Sequence, residues 1–442
     1  MSPTHDTLDR GHNDDLLGFV RASPSPYHVV ASAAQRLEKA GFAELRERDE
    51  WTAGAEGGRY VVRGGALVAW YVPPGAPAHT PFRIVATHTD SPNLRVKPRP
   101  DSGSAGWRQI AVEIYGAVPL NTWLDRDLGV SGRLVLRDGS TRLVRVDRPL
   151  LRVPQLAIHL DRTVNEGLAL DRQRHMTPLW GLGGSEPGAL LGRIADEAGA
   201  DAAEVLGWDL MLHDIQRPGR LGADEEFIVA PRLDNQISVH AGVTALVAAA
   251  GAERTPDCIP VLAAFDHEEV GNGSESGALG PLLERVLSRA VTARGGGPED
   301  FDRALAGALC ASSDMTHAVH PNYAERHDPD HRPLPNGGPV IKVNANQRYA
   351  SDGVGVAAFA AACERAGVPY QSFVSHNAMP CGTSLGPVAA ARLGVTTVDV
   401  GVAGLSMHSA RELCGARDPE LLARVLTEFV TVGRAPGVTA GV

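Results

Sequence analysis

The sequence predicts an α/β fold interrupted by a separate, mainly β domain. In 1–97 and 231–442, short apolar runs alternate with helix-like stretches, a rhythm typical of a sheet covered by helices. In 98–230, short β-like pieces alternate with glycine- and proline-rich turns such as DSGSAG and WGLGGSEPG. We therefore expect the chain to leave the α/β domain after residue 97 and to return to it at residue 231.

The individual elements follow from apolar spacing and turn residues. Three-to-four spacing predicts helices over 14–42, and SPSP at 23–26 divides this stretch in two. The first domain then continues with strands at 60–62, 66–72 and 82–87. In the inserted part we expect strands at 110–115, 131–136, 155–160 and 227–229. Further helices are predicted at 235–250, 280–293, 354–366 and 418–432, and strands at 259–265, 308–312, 338–343 and 396–402.

Composition excludes several classes of protein. The chain has 442 residues, 43% of them hydrophobic, and this is enough for a core that needs no disulfides. Its five cysteines are scattered and form no CxxC pair, which favours a reducing, cytoplasmic compartment. The N-terminal stretch MSPTHDTLDRGHNDD lacks the apolar region of a signal peptide, and no apolar run is long enough to span a bilayer. The formal charge of −10 disfavours a nucleic-acid partner.

Potential metal ligands follow the predicted apolar runs by a few residues. They are His88, Asp234, Glu269 beside Glu268, Asp314 and His408. Two imidazoles and three carboxylates suit a pair of metal ions, with one carboxylate bridging and each ion taking one histidine and one further acid. A donor set without thiolates favours zinc, with manganese or cobalt tolerated. Asp234 has an alternative explanation, since it precedes the helix at 235–250 and can act as its N-cap.

Two neighbouring acids add chemistry to this set. Asp90 lies two residues after His88 and can reach the ring nitrogen that faces away from a metal, which would fix the tautomer. Of the adjacent pair Glu268 and Glu269, one can bind metal while the other stays free as a general base. Each motif alone has an ordinary structural explanation, and it is the order H, D, EE, D, H after successive strands that favours a site.

Across nearly its whole length the sequence resembles the aspartyl aminopeptidases and related M18 metallo-aminopeptidases. The motifs that carry the resemblance are SPSPYH (23–28), THTDSP (87–92), NTWLDRDL (121–128), LAIHLDR (156–162), PRLDNQ (231–236), DHEEVG (266–271), SDMTHAVHPNY (313–323), GPVIKVNANQRYAS (338–351), MPCGTSLGP (379–387) and MHSARE (407–412). The resemblance implies a three-layer zinc-peptidase domain with an inserted dimerisation domain. It also implies homodimers that build a tetrahedral dodecamer.

The resemblance further implies a role for each candidate. His88 and Asp314 would hold one zinc ion, Glu269 and His408 the other, and Asp234 would bridge the two. Glu268 would be the general base and Asp90 would orient His88. A cis peptide bond is expected after Asp234.

Candidates for substrate binding also come from the resemblance. His159 would complete the active site of a neighbouring subunit, although a zinc ligand or an ordinary strand histidine remains an alternative. Lys342 would face an acidic substrate side chain, the alternative being a solvated strand-end lysine. His317 and His320 would line the same pocket unless they are structural. The chain has His376-Asn377-Ala378 where many relatives have an Asp before the MPCG turn, and this difference concerns the substrate pocket.

The predicted function is a dinuclear zinc aminopeptidase that removes N-terminal residues from peptides and prefers Asp or Glu. Four alternatives stay open: an aminopeptidase of broad or neutral preference, a deacylase, a carboxypeptidase, and a non-catalytic assembly protein. Turnover of N-acylated substrates would indicate one of the other hydrolases. A chain that binds no zinc would indicate the assembly protein.

Overall fold

The computed structural model describes residues 10–51, 56–252 and 256–432. The first nine residues of the N-terminal stretch, which we predict not to form a signal peptide, lie outside this range. The helices are α1 Arg10–Ala22, α2 Pro26–Lys39, α3 Ala189–Glu197, α4 Leu233–Ala250, α5 Leu282–Thr292, α6 Pro298–Ala306, α7 Gly353–Ala366, α8 Leu385–Leu393 and α9 Asp418–Thr431. None of the helices in these ranges is long and apolar enough to cross a membrane.

The strands form three sheets. Those of the first half are β1 Ala43–Glu44, β2 Gly57–Arg63, β3 Ala66–Val72, β4 Phe82–His88, β5 Asn93–Ser104, β6 Trp107–Tyr115, β7 Leu128–Leu136, β8 Thr141–Leu151, β9 Leu179–Leu182 and β10 Val205–Asp214. Those of the second half are β11 Gly219–Leu221, β12 Phe227–Ala230, β13 Ile259–Phe265, β14 Leu309–Ser313, β15 Thr316–His317, β16 Val340–Val343, β17 Gln371–Val374, β18 Thr396–Gly401, β19 Ala403–Leu405 and β20 Glu412–Gly415.

The main sheet is sandwiched between two layers of helices, which confirms the predicted α/β class. Its strand order is β1-β2-β3-β13-β4-β14-β18-β16-β17, and the central strands β13, β4, β14 and β18 run parallel. Alternate residues of β4 enter opposite cores. Val85 packs with α1, α2, α4, α7 and α9, whereas Ile84 and Ala86 pack with α5, α6 and α8. Burial on both faces explains why these strands are continuous apolar runs.

Residues 93–214 contain a six-stranded sheet of their own, in the order β8-β7-β10-β5-β6-β9. Neighbouring strands are antiparallel, and α3 closes the core through Leu190 and Ile194. The five-stranded third sheet, β11-β12-β20-β19-β15, joins β12 to strands from the C-terminal part of the chain. The division into domains after residue 97 and before residue 231 stays a prediction.

One predicted strand is wrong. Residues 155–160 form no strand and include a turn at 158–160. The alternating Leu156, Ile158 and Leu160 are 53%, 50% and 75% exposed. The alternation is β-like, but a strand needs a hydrogen-bonding partner, and this segment pairs with no strand among the described residues.

Candidate active site

Three of the five candidate metal ligands lie at one edge of the main sheet, because each lies at or just after the end of one of three neighbouring parallel strands. His88 is the last residue of β4 and pairs in register with Phe265, the last residue of β13. Glu268 and Glu269 follow β13 in a short 3-10 helix, and Asp314 directly follows β14. The carboxyl ends of parallel strands meet at the same edge of a sheet, which is where open α/β sheets place their ligands.

The third sheet brings the other two candidates to the same place. Asp234 lies in the first turn of α4, just after β12, and His408 lies in the connection between β19 and β20. Strands β12 and β20 are antiparallel neighbours, with Ala230 opposite Glu412. This pairing holds the start of α4 beside the His408 turn. The peptide bond between Asp234 and Asn235 is cis, as the resemblance implies.

The carboxylate of Asp234 lies between the two imidazoles. Its Oδ1 is 3.3 Å from His88 Nε2, and its Oδ2 is 3.5 Å from His408 Nε2. Each imidazole also faces a carboxylate of its own. Asp314 Oδ1 is 3.4 Å from His88 Nε2, and Glu269 Oε2 is 3.3 Å from His408 Nε2. The result is two clusters, each able to hold a cation, that share Asp234.

Hydrogen bonds on the far side of both imidazoles orient them towards these carboxylates. His88 Nδ1 is 3.0 Å from the backbone oxygen of Asp90, and His408 Nδ1 is 3.2 Å from that of Ala117. Since a carbonyl oxygen only accepts, each Nδ1 carries the proton that it donates. With the proton on Nδ1, a neutral ring would present the lone pair of Nε2 to a cation held by these carboxylates, and this is the arrangement of a metal-binding histidine.

Orphaned oxygen atoms also fit a cation. Oδ1 of Asp234 and Oε1 of Glu269 are buried and have no hydrogen-bond partner among the described residues. Buried polar atoms are almost always hydrogen-bonded, so such exceptions need an explanation. With two imidazole nitrogens and three carboxylates, the donor set is the N/O type that zinc accepts.

Burial makes the negative charge of the cluster costly. It raises the pKa of Glu268 to about 8, and it raises that of Glu269 well above its usual value. Burial alone would lower the pKa of His408, but the hydrogen bond to Asp234 and the negative charges of Glu269, Asp234 and Glu412 together raise the pKa to about 10. The raised pKa values mean that the glutamates tend to keep their protons and that His408 tends to gain one. Both changes add positive charge to a cluster that has an excess of carboxylates.

The Asp90 side chain connects the segment that follows β4 to the segment that follows β13. Its Oδ2 accepts hydrogen bonds from the Tyr115 hydroxyl at 2.6 Å and from the Glu269 N–H at 3.1 Å. Its Oδ1 accepts from the Glu268 N–H at 3.1 Å and lies 3.4 Å from His88 Nδ1, farther than the Asp90 backbone oxygen. One buried carboxylate therefore fixes the backbone of the acidic pair beside the imidazole.

The structure places Lys342 directly behind Asp314. The residue is 1% exposed. Its ammonium donates to the Asp314 backbone oxygen at 3.1 Å, to the Met315 backbone oxygen at 3.2 Å and to Asp314 Oδ2 at 3.4 Å. These acceptors occupy all three ammonium protons, so a substrate carboxylate would have to displace one of them.

His317 and His320 line a cavity of about 340 Å³ next to the His408 turn. The described residues around it include further cationic or titratable groups and no Asp or Glu: Arg326, His327 and His376. Tyr349 and Phe373 form part of the wall. Burial lowers the pKa of His317 and of His327, so Arg326 supplies the positive charge of the described lining, and no carboxylate there opposes it.

His159 lies away from this group of residues. It is exposed in the turn at 158–160 and belongs to none of the possible metal-binding groups among the described residues.

Two further residues contribute to the site although the sequence pattern predicts no role for them. Tyr115 is predicted only as a strand end, and Glu412 only as part of the MHSARE motif. Tyr115 contacts a carboxylate and Glu412 contacts backbone N–H groups. Neither kind of contact produces a regular spacing in the sequence.

The α/β sheet, the two cation-binding clusters at its edge and the adjoining cavity are the features of a metal-dependent hydrolase. The family profile of the Aminopeptidase I zinc metalloproteases (M18) matches residues 19–430. The chain belongs to this M18 family, and it is therefore an aminopeptidase, an enzyme that hydrolyses peptides.

Similar proteins agree over nearly the whole chain. A "Probable M18 family aminopeptidase 2" of Streptomyces coelicolor is 65% identical over 425 residues, covering 96% of this chain and 98% of the relative. The protein of the same name from Mycobacterium leprae is 52% identical over 422 residues, covering 94% and 97%.

Solved structures share the fold. A chain of the cryo-EM structure of the Ape4 and Nbr1 complex matches with a TM-score of 0.92 and 36% identity, covering 96% of this chain and 86% of that one. The mApe1 dodecamer of S. cerevisiae matches with a TM-score of 0.84 and 30% identity, covering 94% and 95%.

Replacing Tyr115 by Phe should loosen the Asp90 network. The variant loses one hydrogen bond to a buried carboxylate, a loss of roughly 1.5–3 kcal/mol. We expect a lower melting temperature and a several-fold lower kcat/KM. Thermal scanning and peptide hydrolysis measure these effects, with the more exposed Tyr370→Phe as control. Unchanged stability and activity in Tyr115→Phe would contradict this role.

Proposed function

We propose that this chain is a dinuclear zinc aminopeptidase that prefers peptides beginning with Asp or Glu. The observation that carries the proposal is the carboxylate of Asp234, whose two oxygens face two different imidazoles. A single ion needs no such arrangement, whereas paired ions about 3.5–4 Å apart are typically bridged by one carboxylate.

In this proposal His88 and Asp314 hold one ion, His408 and Glu269 hold the other, and Asp234 is shared. The short distances within each cluster and the orphaned oxygens of Asp234 and Glu269 support the assignment. Zinc, when bound, supplies a Lewis acid that polarises the scissile carbonyl and lowers the pKa of a water molecule. Manganese or cobalt would suit the same donors.

Glu268 is the proposed general base. It lies in the same group of metal-ligand types as His88 and Glu269, yet no described hydrogen bond holds its carboxylate. A free carboxylate next to the reacting water can take its proton and later give that proton to the leaving amine. Asp90 supports this role because it fixes the Glu268 backbone.

The cavity beside the cluster supports a preference for acidic residues. Its described lining combines Arg326 with the histidines at 317, 320, 327 and 376 and contains no carboxylate. Lys342 Nζ lies 5.2 Å from the centre of the Tyr349 ring, which forms part of the wall. In our proposal Lys342 adds positive charge behind the pocket, while His317 and His320 line it.

His159 is proposed to act in a second subunit of a homo-oligomer. It lies between Ile158 and Leu160, and these exposed apolar side chains suit burial against another copy. One structural neighbour is described as a dodecamer. We propose that dimers of this chain likewise assemble into a tetrahedral dodecamer, and that His159 of one copy reaches the site of another.

We also place the enzyme in the cytoplasm, with peptides as its partners and with neither a membrane nor a nucleic acid involved. All five cysteines are free, which suits a reducing compartment.

The base is tested by Glu268→Gln. The amide cannot accept the proton, so we expect kcat to fall by about 10²–10⁴-fold. Bound zinc, measured by elemental analysis, should stay at two ions per subunit because the metal ligands are intact. The exposed Glu275→Gln in the same segment is the control. Full activity in the zinc-loaded Glu268→Gln variant would refute the mechanism.

An N-acetylated peptide should not be cleaved by the wild-type enzyme.

Specificity is tested by Lys342→Met at saturating zinc, because Lys342 also contacts Asp314. We expect the ratio of kcat/KM for Asp- and Leu-initiated peptides to fall about tenfold, because the variant removes the positive charge that would attract an acidic side chain in the pocket. Lys39→Met serves as the exposed control. An unchanged ratio would show that Lys342 does not read the substrate charge.

The role of His159 is tested by mixing subunits. His159→Ala and Glu268→Gln proteins should each be nearly inactive as homo-oligomers. Mixed oligomers contain sites that combine an intact base with an intact His159 from the other chain, so activity should reappear on subunit exchange. If the mixture stays as inactive as its components, His159 does not act across the interface.

A further inference from the structure

Glu412 lies where the third sheet brings two candidate ligands together. It is the first residue of β20 and pairs with Ala230 at the end of β12. The chain runs from Ala230 into the turn that carries Asp234, and it enters Glu412 from the turn that carries His408. Glu412 is therefore flanked by both ligands although it belongs to neither cluster.

Both oxygens of this carboxylate hold the backbone of a ligand. Oε2 accepts the N–H of Asp234 at 2.9 Å, and Oε1 accepts the N–H of His408 at 2.7 Å. The residue is only 2% exposed. A carboxylate that accepts two backbone N–H groups out of water makes charge-assisted bonds, which are about twice as strong as neutral ones.

The backbone at His408 makes the second bond important. Its φ of 67° is in the left-handed region, which is unfavourable for a residue with a Cβ atom. Such a conformation is strained and persists only where its surroundings enforce it. The bond from the His408 N–H to Glu412 holds the turn in the conformation that points the imidazole at Asp234.

We propose that Glu412 is a positioning residue that fixes the separation of Asp234 and His408. It thereby sets the zinc affinity of the cluster formed by Asp234, Glu269 and His408. This inference rests on the proposed function. Asp90 works in the same way on the opposite side, since it accepts the N–H groups of Glu268 and Glu269. Asp90 would thus tie the segment after His88 to the Glu268–Glu269 turn, and Glu412 would tie the Asp234 turn to the His408 turn.

The test is a zinc titration of Glu412→Gln. The amide keeps the shape of the side chain but replaces one acceptor by an NH₂ group that faces a backbone N–H. We expect the dissociation constant of the zinc ion bound by His408 and Glu269 to rise about tenfold or more. Activity at trace zinc should fall in proportion and return on addition of zinc, with KM for the peptide at saturating zinc nearly unchanged.

Asp418→Asn is the matched control. Asp418 is likewise a buried carboxylate that accepts two backbone N–H groups, from Asn336 at 2.6 Å and from Gly338 at 3.0 Å. It belongs to none of the possible metal-binding groups. Its variant should lose thermal stability and keep the wild-type zinc affinity.

The outcomes separate the two proposals. If Glu412→Gln and wild type have superimposable zinc titrations, or if Asp418→Asn weakens zinc equally, Glu412 has no special positioning role. If the wild-type chain binds no zinc, the proposed function itself fails. Should Glu412→Gln not fold, Glu412→Asp keeps the charge but is too short to reach both N–H groups. Its second zinc should then bind more weakly than in wild type, and an unchanged affinity would overturn the inference.

Discussion

The structure of this site depends on one buried carboxylate placed between two imidazoles. Asp234 takes part in both clusters, with one oxygen towards His88 and the other towards His408. His88 ends a strand of the main sheet and His408 lies in a turn of the third sheet, so this single side chain lies where the two sheets meet. The buried Ser91 hydroxyl and the Glu412 carboxylate hold its backbone from either side, donating to its carbonyl oxygen and accepting from its N–H.

The fold sustains a concentration of charge that would destabilise an ordinary core. Burial raises the pKa of Glu268, Glu269 and Glu412, because each ionised carboxylate loses water and faces other carboxylates. Removing ions from water costs several kcal/mol each unless they are paired or metal-bound. Two cations among these groups would relieve that cost. In this account, the feature that makes the site unfavourable as protein core is the one that gives it affinity for metal.

Much of the site could be predicted because its residues follow apolar strands in a fixed order. The candidate ligands, the acidic pair and Asp90 are all visible in this way, and the structure brings them together. Glu412 and Tyr115 are not visible, since an acceptor of backbone N–H groups and a hydroxyl donor leave no periodic signal. The strand expected at 155–160 is wrong for a related reason. Its alternation is typical of a strand with one buried face, but no described strand of this chain pairs with it. Helices α3, α6 and α8 are short, with nine residues each, and are not predicted by the spacing.

The central claim is that two ions flank Asp234. Its most direct test is a crystal structure of the zinc-loaded protein with anomalous scattering measured at the zinc edge. Two anomalous peaks about 3.5–4 Å apart are expected. One should lie between His88 and Asp314, the other between His408 and Glu269, with one Asp234 oxygen bound to each. A single peak, or zinc bound at the histidines of the adjoining cavity instead, would contradict it.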